Sequence, residues 1–92
     1  MGYEWLPSAI SRLQGLGTGE VIAALLDARR RWVQRVETKS GARGLAVWTR
    51  TPAGTPILVV LRPLGDFDHQ ITFAAPMTPQ QVAAFEEWEN NQ

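Results

Sequence analysis

The spacing of apolar residues changes along the chain from a helical repeat to a two-residue repeat, and this change limits the possible folds. Val21, Ile22 and Leu25 recur at the three- and four-residue spacing of an amphipathic helix. From Arg31 onward, apolar and polar residues alternate in segments that are separated by short turns rich in Gly and Pro. Short turns favour antiparallel pairing, because parallel strands need long crossover connections. The pattern therefore predicts an α+β domain.

The same patterns predict the position of each element. They indicate helices over 7–14 and 18–28, the second with Thr18 as N-cap, then strands over 31–38, 45–50, 57–61 and 69–74, with a hairpin connection over 39–42. Thr78 and Gln81 form a capping box with Pro79 in the first turn, which starts a last helix. The apolar run over 57–61 is typical of a central strand covered on both faces. We expect two N-terminal helices, a four-stranded, mainly antiparallel meander sheet and a C-terminal helix, with the helices gathered against one face.

Length and composition exclude several classes of protein. The 92 residues suffice for a single domain, 1–92, whose polar end at 89–92 is expected to fray. The sequence has no apolar run of about 18 residues, no export signal and no Cys, so we expect a cytoplasmic protein without a membrane span. A single His without Cys argues against a zinc site, and no glycine-rich phosphate loop occurs. Neither a metal nor a cofactor is expected.

The charges sum to zero but are sorted into blocks. Residues 1–27 carry one Arg against three acids, residues 28–62 carry eight basic side chains against Glu37 alone, and residues 63–92 carry five acids and no Lys or Arg. Positive charge on neighbouring strands, with Trp residues between, suits a phosphodiester backbone and stacked bases. The alternative is a solvated sheet edge whose cations deter edge-to-edge pairing, with the Trp residues in the core.

The basic block and the strand after it supply the candidate site residues. The candidates for binding RNA are Arg35, Lys39, Arg43 and, as a stacking platform, Trp48. Arg50 and Arg62 end two successive strands and are the candidate cations for stabilising charge on a phosphate. His69 is the one imidazole of the chain and the candidate general acid or base. The alternative for His69 is a surface residue at a strand start.

The order of segments resembles a known family. Tyr3-Glu4-Trp5 opens the sequence, a Gly precedes the segment Glu20 to Asp27, Gly44 to Trp48 and Ile57 to Leu61 follow, and Ile71 to Pro79 leads to Phe85-Glu86. From Tyr3 to Glu87 this pattern resembles the BrnT-type toxins of type II toxin–antitoxin systems, which share the RelE-like fold. The resemblance implies a metal-independent ribonuclease that cleaves mRNA by attack of a ribose 2′-OH on the adjacent phosphate. It also implies a cognate antitoxin that covers the basic face.

The sequence departs from this family at two places. Ala75 stands where the family has an Arg on the last strand, and the last helix is acidic where the family has a basic one. Loss of a cation that stabilises the transition state lowers the rate by a factor of roughly 10² or more. The alternative hypothesis is therefore a non-catalytic protein-interaction module on the same scaffold. It would bind a partner protein, or form a homodimer with the acidic helix of one copy against segment 29–35 of another.

Overall fold

The computed structural model describes residues 2–27, 31–37, 41, 43–65 and 67–91. In chain order these residues form β1 (Gly2–Trp5), α1 (Pro7–Ile10), α2 (Thr18–Leu26), β2 (Trp32–Glu37), β3 (Arg43–Arg50), β4 (Pro56–Pro63), β5 (Asp68–Pro76) and α3 (Pro79–Asn90). The predicted α+β class is confirmed. None of the helices in the described ranges is long and apolar enough to cross a membrane.

The strands form one sheet in the order β1-β5-β4-β3-β2. The four strands from β2 to β5 pair as the predicted antiparallel meander. β1 is a fifth strand that the sequence did not predict, and it runs parallel to β5 with Gly2 opposite Asp68 and Trp5 opposite Ile71. A segment this short carries too little alternation to be recognised. Its partner strand also lies far away in the sequence, so no local pattern could reveal the pairing.

One side of the sheet packs against α2 and is called the α2 face. It carries buried apolar side chains from the three inner strands, among them Val47, Val59 and Ile71. Val21 and Leu25 of α2 belong to the same cluster and are at most 1% exposed. Burial of one such side chain contributes about 1.5–3 kcal/mol. This cluster therefore holds the amphipathic stripe of α2 on the sheet.

The other side, called the α3 face, is covered by aromatic side chains. Successive residues of a strand point to opposite faces, so Trp48 lies opposite to Val47. The centroid of the Trp48 ring is 4.9 Å from that of Trp32, and Trp32 stacks on Trp88 of α3 at 5.7 Å and 5°. α2 and α3 thus cover opposite faces, and the expected gathering of the helices against one face is wrong.

The apolar run in β4 agrees with this two-sided arrangement. β4 is the middle strand of the sheet. Ile57 and Val59 on the α2 face are fully buried, and Leu58 and Val60 on the α3 face are half-buried. The prediction of a central strand covered on both faces is confirmed. The same run was a sign that the helices could not all lie on one side, because each face of the strand needs its own cover.

The ends of the two N-terminal helices differ from the prediction. α1 ends at Ile10, short of the expected residue 14. The N-cap of α2 is Gly17 rather than Thr18, and its backbone N–H donates to the Glu20 carboxylate at 3.2 Å. α2 ends at Leu26, and the expected last residue, Ala28, lies outside the described residues, as does the predicted hairpin 39–42 except for Gly41.

The predicted start of α3 is confirmed. Thr78 Oγ1 accepts a hydrogen bond from the Gln81 backbone N–H at 3.2 Å, and Gln81 Oε1 accepts from the Thr78 N–H at 2.9 Å. The helix continues to Asn90. Side chains near the end of α3 contact β2 and β3.

Gly44 of β3 tests how closely the sheet is packed. A Cβ atom at this position would lie 2.9 Å from the backbone carbonyl oxygen of Leu61, which cannot move without disturbing β4. We expect Gly44→Ala to lower the free energy of unfolding by about 1–3 kcal/mol. Urea denaturation measures this change.

Gly19 provides the matched control. A Cβ atom there would meet no heavy atom within 4 Å, and the residue lies in α2. Gly19→Ala should leave stability unchanged or raise it by about 0.4–1 kcal/mol, because Ala restricts the unfolded chain. Equal stability of Gly44→Ala and the wild type would contradict the close approach of the Gly44 backbone to the Leu61 carbonyl oxygen.

Candidate functional site

The three candidate catalytic residues lie apart in the sheet. Arg50 is the last residue of β3 and pairs with Pro56, the first residue of β4. Arg62 lies near the other end of β4, so the two arginines are separated by about 20 Å along the strand direction, from a rise of about 3.3 Å per residue. They therefore cannot act on one phosphate together in this structure.

His69 lies at the same end of the sheet as Arg62 but on the other face. Gln70 is the register partner of Arg62, and His69 is the partner of Pro63, so His69 and Arg62 point to opposite sides. The half-buried ring of His69 lies 6.1 Å from that of Tyr3 in β1. The structure does not bring His69, Arg50 and Arg62 together into one site.

Arg50 is bound by Glu89 of α3. Its Nε and Nη2 donate to the two carboxylate oxygens at 3.1 and 2.8 Å, and Nη1 donates to the carbonyl oxygen of Gly54 at 3.0 Å. The guanidinium also lies 5.5 Å from the centroid of the Phe85 ring. The hydrogen bond to Glu89 raises the pKa of Arg50 above its ordinary value. Arg50 thus anchors α3 to the end of β3.

Trp48, the predicted stacking platform, is half-buried under α3. Its ring is tilted against Trp32, whose other ring contact is the stack on Trp88. Trp48 Nε1 is buried, and among the described residues it has no hydrogen-bond acceptor. These contacts favour the alternative in which the Trp residues pack the core.

The remaining candidate cations lie at the end of the sheet that is opposite to Arg50. Arg35 and Arg43 line a cleft of about 630 Å³ together with Glu37, Gly44 and Pro63. Arg62 directly precedes Pro63 in β4 and is exposed. It points to the α3 face, whereas Arg35 and Arg43 point to the α2 face. We call Arg35, Arg43 and Arg62 the cationic end. Lys39, the fourth candidate of the basic block, lies outside the described residues.

A second cleft lies beside β1 on the α2 face. It has a volume of about 560 Å³ and is lined mainly by apolar residues, namely Gly2, Tyr3, Trp5, Ile22, Leu25, Leu26 and Arg31. We call it the β1 cleft. Arg31 Nη1 donates to the carbonyl oxygen of Leu25 at 2.8 Å, which places a cation at the end of α2. The sequence analysis did not predict this cleft because it did not predict β1. The signal in that segment is the two-residue spacing of the aromatic residues Tyr3 and Trp5.

The alternative homodimer would use the acidic helix of one copy against segment 29–35 of another. Residues 29 and 30 lie outside the described ranges. Glu89, one of the three acids of that helix, binds Arg50 of its own chain. Its side chain is 8% exposed, so it has little surface left for a second cation.

Comparisons of the chain with models of protein families, with curated proteins and with solved structures find no match. The resemblance to BrnT-type toxins therefore stays an expectation from the sequence.

The ion pair of Arg50 with Glu89 can be measured by a double-mutant cycle. Arg50→Met leaves a nearly buried carboxylate without its guanidinium, and we expect it to lower the free energy of unfolding by about 1–3 kcal/mol. Glu89→Gln should have a smaller effect, because the amide oxygen can still accept a hydrogen bond. Thermal and urea unfolding of both single variants and the double variant give the coupling.

Glu87→Gln is the control, since Glu87 is exposed on the same helix. It should change stability by at most about 0.5 kcal/mol. Additive effects of the Arg50 and Glu89 substitutions would show that the pair does not anchor α3.

Proposed function

We propose that the chain is a non-catalytic protein-interaction module that binds an extended acidic segment of a partner protein along β2. The observation that carries this proposal is the division of the arginines. Arg50 is held by Glu89, whereas Arg35 and Arg43 line a cleft beside β2, the outermost strand of the sheet in the described part of the chain. We further propose a cytoplasmic location, as the sequence suggests.

The edge of the sheet at β2 supports strand addition. In the described part of the chain, β2 pairs with β3 alone. The outer edge of such a strand presents backbone N–H and C=O groups that a second extended segment can pair with. Val33 on this strand is 48% exposed, so it offers an apolar contact as well.

The charges around β2 favour an acidic segment. Arg35 lies on β2, and Arg43 is the neighbour of Glu37 across the hairpin. These cations would repel a basic segment and attract the carboxylates of an acidic one, so the β2 edge distinguishes segments by their charge. Because the cations are exposed, the attraction acts mainly on association rate and is sensitive to salt.

A protein partner fits these contacts better than single-stranded RNA. Base stacking is worth about 1–3 kcal/mol per base in proteins that bind single strands. The predicted stacking platform, Trp48, already contacts Trp32 under α3. Backbone pairing at β2 does not need an exposed aromatic ring.

The test is fluorescence anisotropy with a labelled peptide of about ten residues that alternates Glu and Val. We expect saturable binding to the full chain that weakens as salt rises. Arg35→Glu should weaken binding by about tenfold or more, because it turns an attraction into a repulsion. A peptide with Lys in place of Glu should not bind.

Arg12→Glu is the matched control. It makes the same change in net charge at an exposed residue between α1 and α2, away from β2. It should change affinity by less than about threefold, which is a general charge effect. Equal losses for the two variants, or no binding of the acidic peptide by the wild type, would contradict the proposal.

A second candidate is the ribonuclease toxin that the resemblance implies, neutralised by an antitoxin. Arg35 and Arg43 support it, because exposed guanidiniums on one face at one end of the sheet can bind successive phosphates. His69 lies at the same end of the sheet and on the same face as Arg43, so it stays the candidate acid or base. This candidate would be favoured over the interaction module if the purified chain cleaves RNA without metal and the double substitution Arg35→Ala with Arg43→Ala abolishes the cleavage.

A further inference from the structure

Phe67, in the turn between β4 and β5, combines two unfavourable features. Its φ angle is 69°, in the left-handed region that bulky residues rarely adopt, and its side chain is 75% exposed. A Gly or Asn would adopt this backbone conformation at lower cost and without exposing a ring to water. A backbone of this kind typically costs about 1–3 kcal/mol, and the described part of the chain does not bury the ring in return.

The turn holds Phe67 in this position. The Leu64 N–H donates to the carbonyl oxygen of Asp68 at 2.9 Å, which closes the loop around Phe67. Leu64 is itself 39% exposed. The turn therefore presents a large apolar side chain outward from a hydrogen-bonded base.

The β1 cleft lies next to this turn. Asp68, which directly follows Phe67, is the register partner of Gly2, and Gly2 lines the cleft. The cleft offers the rings of Tyr3 and Trp5 and the exposed side chain of Leu26. Its volume of about 560 Å³ is more than a phenyl ring fills, so it can also take the neighbouring part of a turn.

We infer that the chain forms a two-fold symmetric dimer in which Phe67 of each copy inserts into the β1 cleft of the other. A protruding residue and its receptor that lie side by side on one molecule can both be satisfied around a two-fold axis, because such an axis repeats each contact twice. The second copy is the occupant that the geometry specifies.

The charges at the two surfaces are complementary. Asp68 lies beside Phe67, and Arg31 lines the β1 cleft. In the exchanged arrangement the acidic turn of one copy meets the cation at the cleft of the other. An aromatic anchor in an apolar pocket with a charged pair at the rim is the usual composition of a small interface.

This interface is separate from the strand edge proposed for the acidic partner. β1 and β2 are the two opposite edges of the sheet. Failure of the dimer would leave peptide binding at β2 unchanged, and failure of peptide binding would leave the dimer unchanged. The two proposals can therefore be tested independently.

The test is sedimentation equilibrium of the full chain from about 1 to 500 µM. We expect a monomer–dimer equilibrium for the wild type. Phe67→Asn should weaken dimerisation at least tenfold, because it removes both inserted rings. Asn tolerates the left-handed backbone, so the melting temperature of the dilute variant should be equal to or above that of the wild type. This second readout separates loss of the interface from loss of the fold.

A variant of the cleft gives a complementary measurement. Leu26→Glu places a carboxylate at the apolar wall and should also weaken dimerisation at least tenfold. A mixture of Phe67→Asn with Leu26→Glu should associate more strongly than either variant alone, because one intact Phe67 can then enter one intact cleft.

Ile10→Gln is the control for loss of exposed apolar surface, since Ile10 is 46% exposed on α1. It should leave the dimer constant unchanged. A wild type that stays monomeric up to 500 µM would overturn the inference, as would a dimer that Phe67→Asn leaves intact, or a variant mixture that associates no more than its components.

Discussion

The fold depends on covering both faces of β4 and its neighbours at once. A sheet with apolar residues on both sides needs a separate layer on each, and α2 covers one face while α3 covers the other. Val21 and Leu25 of α2 close one side, and Phe85 of α3 is fully buried on the other. Neither layer is large, so each needs additional contacts. On the α2 face these come from Tyr3 and Trp5, and on the α3 face from the stacked Trp residues.

The balance of charge in the chain becomes a spatial division in the fold. The acidic helix neutralises the end of β3, where Glu89 binds Arg50. It does not reach the cationic end. Arg43 at the start of β3 and Arg62 near the end of β4 lie at the end of the sheet that is opposite to Arg50. A neutral protein thereby keeps a local positive surface, which can attract an anionic partner without the non-specific binding that a large net charge brings.

Local patterns predicted those features of the fold that depend on neighbours in sequence. The antiparallel meander follows from short turns, and the start of α3 follows from Thr78, Pro79 and Gln81. The features that were missed depend on residues far apart. β1 pairs with β5, and Arg50 finds its carboxylate on α3. Period alone says that residues alternate between two faces, but not which helix covers which face.

The candidate site shows the same limit. The sequence predicts Arg50, Arg62 and His69 as polar residues at strand ends, and all three lie within one residue of the end of a strand. The distance between Arg50 and Arg62 depends on the direction of their strands, since neighbouring antiparallel strands finish at opposite ends of the sheet. Had β3 and β4 been parallel, Arg50 and Arg62 would have been neighbours. Residues at strand ends can therefore be assigned to one site only after the topology of the sheet is known.

The parallel pairing of β1 with β5 also bears on how the chain folds. Gly2 meets Asp68, so β1 joins the sheet only after nearly the whole described sequence exists and has formed the meander. Contacts of such large separation are slow to form, because the loop between them must first be ordered. We expect β1 to be the last strand to join. Until it joins, Tyr3 and Trp5 are exposed and β5 is a bare edge, which is the state of the molecule most open to aggregation.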